Sequence, residues 1–350
     1  MSFGISWLVG VLMAYFPASQ PANQLVSQSV APELKLSEYG LFAGRLADQL
    51  PAPGVMPYAL NTPLFSDYAE KLRFVRLPDG ATVPYNDSQV LDFPVGTVIA
   101  KTFYYPVDAR DPAKGRRLIE TRILIHEAQG WKALPYHWDE AQTDAVLEVA
   151  GGSREVRWTD AQGKKRRLDY AIPNMNQCKS CHNWDGAIRP IGPSARQLNG
   201  TLAYAEGQHN QLAHWQAVGM ITGMPDLADV PRTAVWDDPT SGSLDARARA
   251  WLDINCAHCH NPHGPANTSG FFLDIHTTDP AALGIRKAPV AAGRGSGGLL
   301  YDIHPGQPDA SILYYRMAST DPGVMMPEVG RKLLHPESLE LIRAWIGEMQ

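Results

Sequence analysis

Asn255–Gly264 reads NCAHCHNPHG, and the order Cys256-x-x-Cys259-His260 within it decides how the rest of the chain is read. Cys-x-x-Cys-His attaches a c-type haem. Two thiols three residues apart project from one helical turn, where both reach the vinyl groups of one porphyrin, and the next residue brings an imidazole under the iron. The pattern recurs at Cys178, Cys181 and His182 in NQCKSCHNW (176–184), and these four cysteines are all that the 350-residue chain contains. Two Cys-x-x-Cys pairs also suit a four-thiolate zinc site or a redox dithiol. Neither gives a reason for a histidine directly after each second cysteine. The expectation is two covalent haem c groups on Cys178, Cys181, Cys256 and Cys259, with His182 and His260 as proximal iron ligands and no cysteine left for a disulfide.

The length allows two or three domains with real cores. A hydrophobic content of 44% fits a soluble globular chain, and 30 Gly with 28 Pro favour turns over long helices. The net charge of -5 argues against a nucleic-acid partner. At the N-terminus an apolar run from Ile5 to Phe16 precedes a small, Pro-containing stretch, so residues 1–24 read as a signal peptide. No Lys or Arg precedes the run and no clean Ala-x-Ala follows it. The run is short for a bilayer span, so no stable membrane insertion is expected once the leader is removed. Haem attachment to this motif in bacteria takes place outside the cytoplasmic membrane, which independently points to the periplasm.

Residues 25–173 carry strand and turn signals. Candidate strands are Lys71–Leu77, closed by the turn Pro78-Asp79-Gly80, then Val98–Tyr105, Leu118–His126, Trp131–Trp138, Ala145–Val149, Glu155–Trp158 and Arg166–Ile172. In Leu118–His126, Ile119, Thr121, Ile123 and Ile125 alternate with Glu120, Arg122 and His126, the pattern of a half-buried strand. The fold class expected is α+β: an antiparallel β-rich domain followed by mainly α haem segments. Lys164–Arg167 forms a basic run that is either a docking patch for an acidic redox partner or a solvated hairpin tip. Tyr104, Tyr105, Tyr136 and Trp138 are either strand core or the lining of a ligand site.

The first haem segment spans 174–238. It follows directly on a strand, so no helix is expected to lead into Cys178. Ile191-Gly192-Pro193 resembles the Gly-Pro that small c-type cytochromes place after their haem motif, and the resemblance implies that the Pro193 carbonyl accepts from the proximal imidazole. Glu206–Val218 reads as a helix stopped by Gly219, with Met220 and Met224 just beyond. The sixth ligand of this haem is open among Met220, Met224, a histidine (His137, His209 or His214) and an empty site. His258, His263 and His276 make a second local group of histidines. In the second segment, 239–350, Leu244, Ala248, Trp251, Leu252 and Asn255 share one helix face running into Cys256, and a terminal helix begins at Pro336 with Leu339, Ile342 and Ile346 on one face. Pro308–Met317 reads as a short helix. Met326, before Pro327, is the expected sixth ligand of the second haem, with Met325 and then Met317 as competitors.

The stretches LDINCAHCHNPHG, PGQPDASILYYRM, MMPEVG and HPESLELIRAWI resemble the cytochrome c domains of large multidomain bacterial proteins. With NTPLFSDYAEKLRF, FPVGTVIAKTF and NQCKSCHN, the chain after the leader resembles a family of predicted dihaem c-type cytochromes with a β-rich N-terminal part. The resemblance implies haem content and export. The expected role is electron transfer between a redox donor and a downstream acceptor. The alternatives are a dihaem peroxidase or oxidase with an open first haem, and a β-domain ligand binder with the haems as reporters.

Overall fold

Apolar residues at alternate positions, broken by Gly- and Asp-containing turns, lay down an antiparallel meander. The structure, a computed structural model, describes Met1, residues 32–290 and residues 292–350. Apart from Met1, the leader expected over residues 1–24 lies outside the described residues. From residue 32 onward the chain forms one compact unit. Among the described residues no helix is long and apolar enough to cross a membrane.

A ribbon of Phe42–Ala43 (β1) and Leu50–Pro51 (β2) precedes a six-stranded sheet of Val55–Pro57 (β3), Glu70–Arg76 (β4), Val98–Pro106 (β6), Arg116–Glu127 (β7), Gly130–Trp138 (β8) and Ala145–Leu147 (β9). Its strands run in the order β3-β4-β6-β7-β8-β9, each antiparallel to the next. Val83–Pro84 (β5) leaves this sheet. Gly80 takes φ 71° in the turn after β4, a conformation only glycine adopts without cost. Gly152–Thr159 (β10) and Lys165–Ile172 (β11) form a separate hairpin, whose Asp160 carboxylate accepts the backbone N–H of Gln162 and Lys164. The antiparallel β-rich N-terminal part is therefore as expected.

Both faces of the sheet are covered. Phe74, Ala100, Ile123, Leu134 and Tyr136 pack with Leu36 and Leu41 of the N-terminal segment. On the opposite face Val75, Ile99, Leu124 and Ala133 share a core with Cys178, Leu198, Leu212 and Trp215. This corrects the half-buried reading of Leu118–His126: the chain around the first motif packs on the polar face, and Glu120 is fully buried there. Tyr105, Tyr136 and Trp138 are core residues, which removes three of the four aromatics from any exposed ligand face.

The first motif segment begins with Met175–Cys181 (α1), so the expectation of no helix ahead of Cys178 is corrected. Asn174 and Gln177 form a reciprocal capping box that starts this helix three residues before the cysteine. Short ribbons Asn183–Trp184 (β12) with Ala187–Ile188 (β13), the helix Ala195–Leu198 (α2), and Thr201–Tyr204 (β14) with Gly207–Asn210 (β15) follow. The helix expected over Glu206–Val218 is confined to Gln211–Ala217 (α3): Gly207 turns at φ 134°, and Asn210 caps the helix through Leu212 and Ala213 N–H. Ile221–Thr222 (β16) pairs in parallel with β5, tying this segment to the sheet part.

In the C-terminal segment, Leu244–Asn255 (α4), Ile312–Met317 (α5) and Pro336–Glu348 (α6) surround a core of Trp251, Leu252, Leu341, Ile342, Trp345 and Ile346. Trp345 Nε1 donates to Asp245 at 2.8 Å, joining α6 to α4. Phe65, from the sheet part, packs against the same core.

Candidate functional site

The two motifs repeat one local design. Cys178 and Cys181 lie on α1 with His182 as its C-cap, while Cys256 caps α4 and the chain turns on through Cys259 to His260. In each, the histidine N–H bonds the carbonyl of the first cysteine, at 3.0 Å for His182 and 2.9 Å for His260. Each ring then places Nδ1 on a later backbone carbonyl: Arg189 O at 2.6 Å for His182, and Phe271 O at 3.0 Å for His260. Each histidine carbonyl in turn accepts a backbone N–H at 2.8 Å, from Arg189 and from Leu273. An imidazole that donates Nδ1–H to a carbonyl keeps its Nε2 lone pair for a metal and holds the ring orientation. Pro193 was expected to supply that acceptor for His182. Its carbonyl instead takes the N–H of Leu91, and Arg189, brought back by the β12–β13 turn, replaces it.

Burial pushes His182 down to about 3 and lowers His260 as well, so both rings are neutral, the form that ligates metal. Burial raises all four thiols, Cys256 and Cys259 to about 12. Reactive dithiols are tuned the opposite way, which counts against the redox-dithiol alternative. All four cysteines are free. Among the described residues no three or more His, Cys, Asp or Glu side chains converge as a group that could hold a metal ion.

A cavity of about 410 Å³ is bordered by Cys178, Cys181, His182 and Cys256, by Met317, Met325 and Met326, and by the polar face of the sheet. A neighbouring cavity of about 360 Å³ shares Cys181, His182 and His258 with it. Cys259 and His260 are on neither wall. The donor set of the first chamber suits haem c: the Cys178 and Cys181 thiols, the tied His182 imidazole and the thioethers of Met317, Met325 and Met326 share it, while Cys259 and the tied His260 lie outside. Haem bound at the two motifs would supply one-electron chemistry at iron, and His182 and His260 are the residues that would hold it.

All three methionines expected near the second haem reach the first cavity. Their loop is held by Arg331, a buried guanidinium that donates to the carbonyls of Met326 (2.7 Å), Ser319 (3.0 Å), Met317 (3.2 Å), Arg316 (3.3 Å) and Leu333 (3.3 Å). Met220 and Met224 are elsewhere. They pack in the apolar core with Trp215 and border neither cavity. The candidate histidines His137, His209 and His214 border neither cavity either. His209 stacks on His214 at 5.7 Å, and His214 stacks on Tyr204 at 3.9 Å and faces Glu206 at 3.2 Å. His137 sits on β8, its Nε2 buried without a partner, away from both cavities. His263 bonds Asp185 at 2.8 Å and His276 bonds Ser88 O at 2.8 Å, so the second histidine group splits into separate contacts. In the basic run, Arg166 pairs with Asp160 at 2.7 Å and Arg167 with Glu155.

Several site residues escape sequence reading. Arg331 is one. His335, stacked on Phe65 at 4.2 Å and on Trp251 at 4.8 Å, borders the first cavity with Nδ1 buried and unpartnered. Its place before Pro336 marked it as a helix start and nothing more. Arg73, Lys101 and Arg122 border the cavity from the sheet, signalled only by polar residues at alternate strand positions. No family model, curated protein or solved structure matches the chain.

Proposed function

We propose that this protein is a periplasmic dihaem c-type cytochrome that relays electrons between a redox donor and a downstream acceptor protein. The observation that carries the reading is the repeat of one histidine strap at both Cys-x-x-Cys-His motifs, each ring tied through Nδ1 to a backbone carbonyl. A four-thiolate zinc site has no use for either histidine, whereas a histidine that ligates metal keeps its ring fixed in this way. Covalent attachment would retain the cofactor outside the cytoplasm, and a thioether ligand such as Met326 would raise the potential of the second haem. The cytochrome c-like character of the C-terminal segment rests on α4 and α6 packing as its two end helices with the methionine loop between them.

The placement of Met220 and Met224 away from both cavities favours a second reading, in which the first iron has an open position and the protein is a dihaem peroxidase or oxidase. A pyridine haemochrome assay on exported protein tests the foundation: two haems per chain, one after Cys178→Ala with Cys181→Ala. One haem or none in the wild type ends both readings. Carbon monoxide then separates them, binding neither ferrous haem in a closed relay and one of the two in an enzyme.

A further inference from the structure

The sheet face that borders the first cavity carries a row of like charges. Arg73 on β4 lies directly opposite Lys101 on β6, and Lys101 directly opposite Arg122 on β7. One step along the strands, Lys71, Phe103 and Glu120 continue the row. Like charges directly opposite on neighbouring strands destabilise a sheet, and burying them raises the cost. Three cations nevertheless crowd one ring: the Arg122 guanidinium lies 4.2 Å from the Phe103 centroid, Lys101 Nζ 5.2 Å and Lys71 Nζ 5.8 Å.

The compensation inside the protein is incomplete. Arg122 is paired with Glu120 at 2.6 Å, and Lys71 donates to Leu64 O at 2.8 Å. Arg73 is 8% exposed, and neither its side chain nor that of Lys101 has a hydrogen bond or ion pair among the described residues. The two acids that border the cavity are engaged already. Asp67 accepts the backbone N–H of Lys332 and Leu333 at 2.7–2.9 Å, and Glu328 faces Arg316 at 3.8 Å. A buried cation, Arg73, and a half-buried one, Lys101, thus face a chamber that contains the first Cys-x-x-Cys-His motif and, among the described residues, no unengaged carboxylate.

We propose that Arg73 and Lys101 bind carboxylates, and that these are the propionates of the haem attached at Cys178 and Cys181. The inference rests on the dihaem reading and deepens it: the β part is a wall of the cofactor site that supplies its counter-charges. Haem is the anionic group that the two motifs themselves call for, and each haem brings two propionates. Arg122, already paired, closes the row.

The test uses the full exported chain with its haems. Arg73→Gln and Lys101→Met are compared with wild type and with Arg166→Gln, which removes the same charge from the surface pair with Asp160. Each variant is scored for haem per chain and for the potential of each haem between pH 5 and 9. Two haems are expected in all. Removing a cation beside a propionate favours ferric iron, so at fixed applied potential the ferric-to-ferrous ratio of the first haem should rise about tenfold, a fall of about 59 mV for one electron. The second haem and Arg166→Gln should stay at wild-type values, and Arg73→Lys should recover most of the shift. If Arg73→Gln does not fold, Arg73→Lys and Lys101→Met carry the comparison. Wild-type potentials in both neutralising variants, with two haems present, overturn the proposal. So does a saturable spectral shift when formate or sulfate is added to wild type, since the cations would then be open to a free anion. A wild type without covalent haem sinks the dihaem reading itself, a distinct result.

Discussion

Replacing Arg331 by Met should loosen the methionine loop while leaving the sheet intact. The guanidinium reaches five carbonyls, but Nη2 has two hydrogens to share among four of them, so the short contacts to Met326 (2.7 Å and 3.1 Å) and Ser319 (3.0 Å) do most of the holding. Three hydrogen bonds to a charged donor at about 1.5–3 kcal/mol each, set against the several kcal/mol of desolvation that the buried cation costs, leave a truncation loss of about 3 kcal/mol. At 1.4 kcal/mol per factor of ten, that raises the open population of the loop roughly a hundredfold. Two measurements read it. Denaturant unfolding followed by tryptophan fluorescence should move to lower midpoint. In the haem-loaded protein, the rate at which added imidazole displaces the native ligand should rise by the same factor. Arg331→Lys should recover less than half, because an ammonium cannot fork across carbonyls so spread out. An Arg331→Met protein with wild-type midpoint and imidazole rate would refute the clamp.

Two further outcomes follow from placement. Met326→Ala should abolish the weak red-end charge-transfer band of the ferric protein and lower the potential of the second haem, while Met325→Ala, which removes a side chain only 8% exposed, should retain the band at a cost in stability; a band that survives in the first variant and vanishes in the second transfers ligation to Met325. His137 is held below its ordinary pKa by burial on β8. Its unfolded value is about 6.5, so the unfolded chain binds its proton first, and stability falls as pH drops from there toward the lower folded value. His137→Gln should flatten that slope in pH-dependent denaturation, and an unchanged slope would reject the assignment.

Much of the sheet was legible because its signals are local. Lys71–Leu77, Val98–Tyr105 and Trp131–Trp138 coincide with β4, β6 and β8 to within a residue, since alternation and Gly or Pro turns bound each one. The faces were not legible. Glu120 and Arg122 alternate with apolar residues as solvent-facing positions do, and only the docking of the β10–β11 hairpin, whose Tyr170 donates to Glu120, and of the first motif segment turns that polar face into an inner wall. The start of α1 was within reach: Asn174 followed three residues later by Gln177 is a capping pattern, overlooked beside the strand signal of Tyr170–Ile172. At Glu206–Asn210 a helical reading lost to a tight turn, because Gly207 at φ 134° reverses the chain before Leu212 and Trp215 can begin their stripe. The motifs themselves were readable from residue identity alone. Their straps to Arg189 and Phe271 were not, since which carbonyl accepts depends on how the following loop returns.

The contacts between the sheet part and the C-terminal segment bear on what the β-rich part is for. Asn255, the residue before Cys256, accepts the backbone N–H of Phe65 at 2.8 Å, and the Phe65 ring stacks on His335. Asp67 binds the backbone of Lys332 and Leu333, just after the methionine loop. Two residues in one short stretch, Phe65 and Asp67, thus grip the chain immediately ahead of the second motif and again immediately after its expected ligand loop. Burial raises the pKa of Asp67, so forming these contacts costs desolvation that only its backbone partners and nearby Arg331 and Lys332 offset. A domain kept for binding a separate ligand has no need to hold both flanks of a motif in this way. A domain that fixes the spacing of two attached redox centres does, because outer-sphere transfer is steep in distance and a rigid frame keeps that distance constant. Both cavities touch the two motifs at once, the 410 Å³ one through Cys178, Cys181, His182, Cys256 and His258 and the 360 Å³ one through Cys181, His182 and His258, so the frame that holds the motifs also sets their separation. The sheet is then frame and wall together.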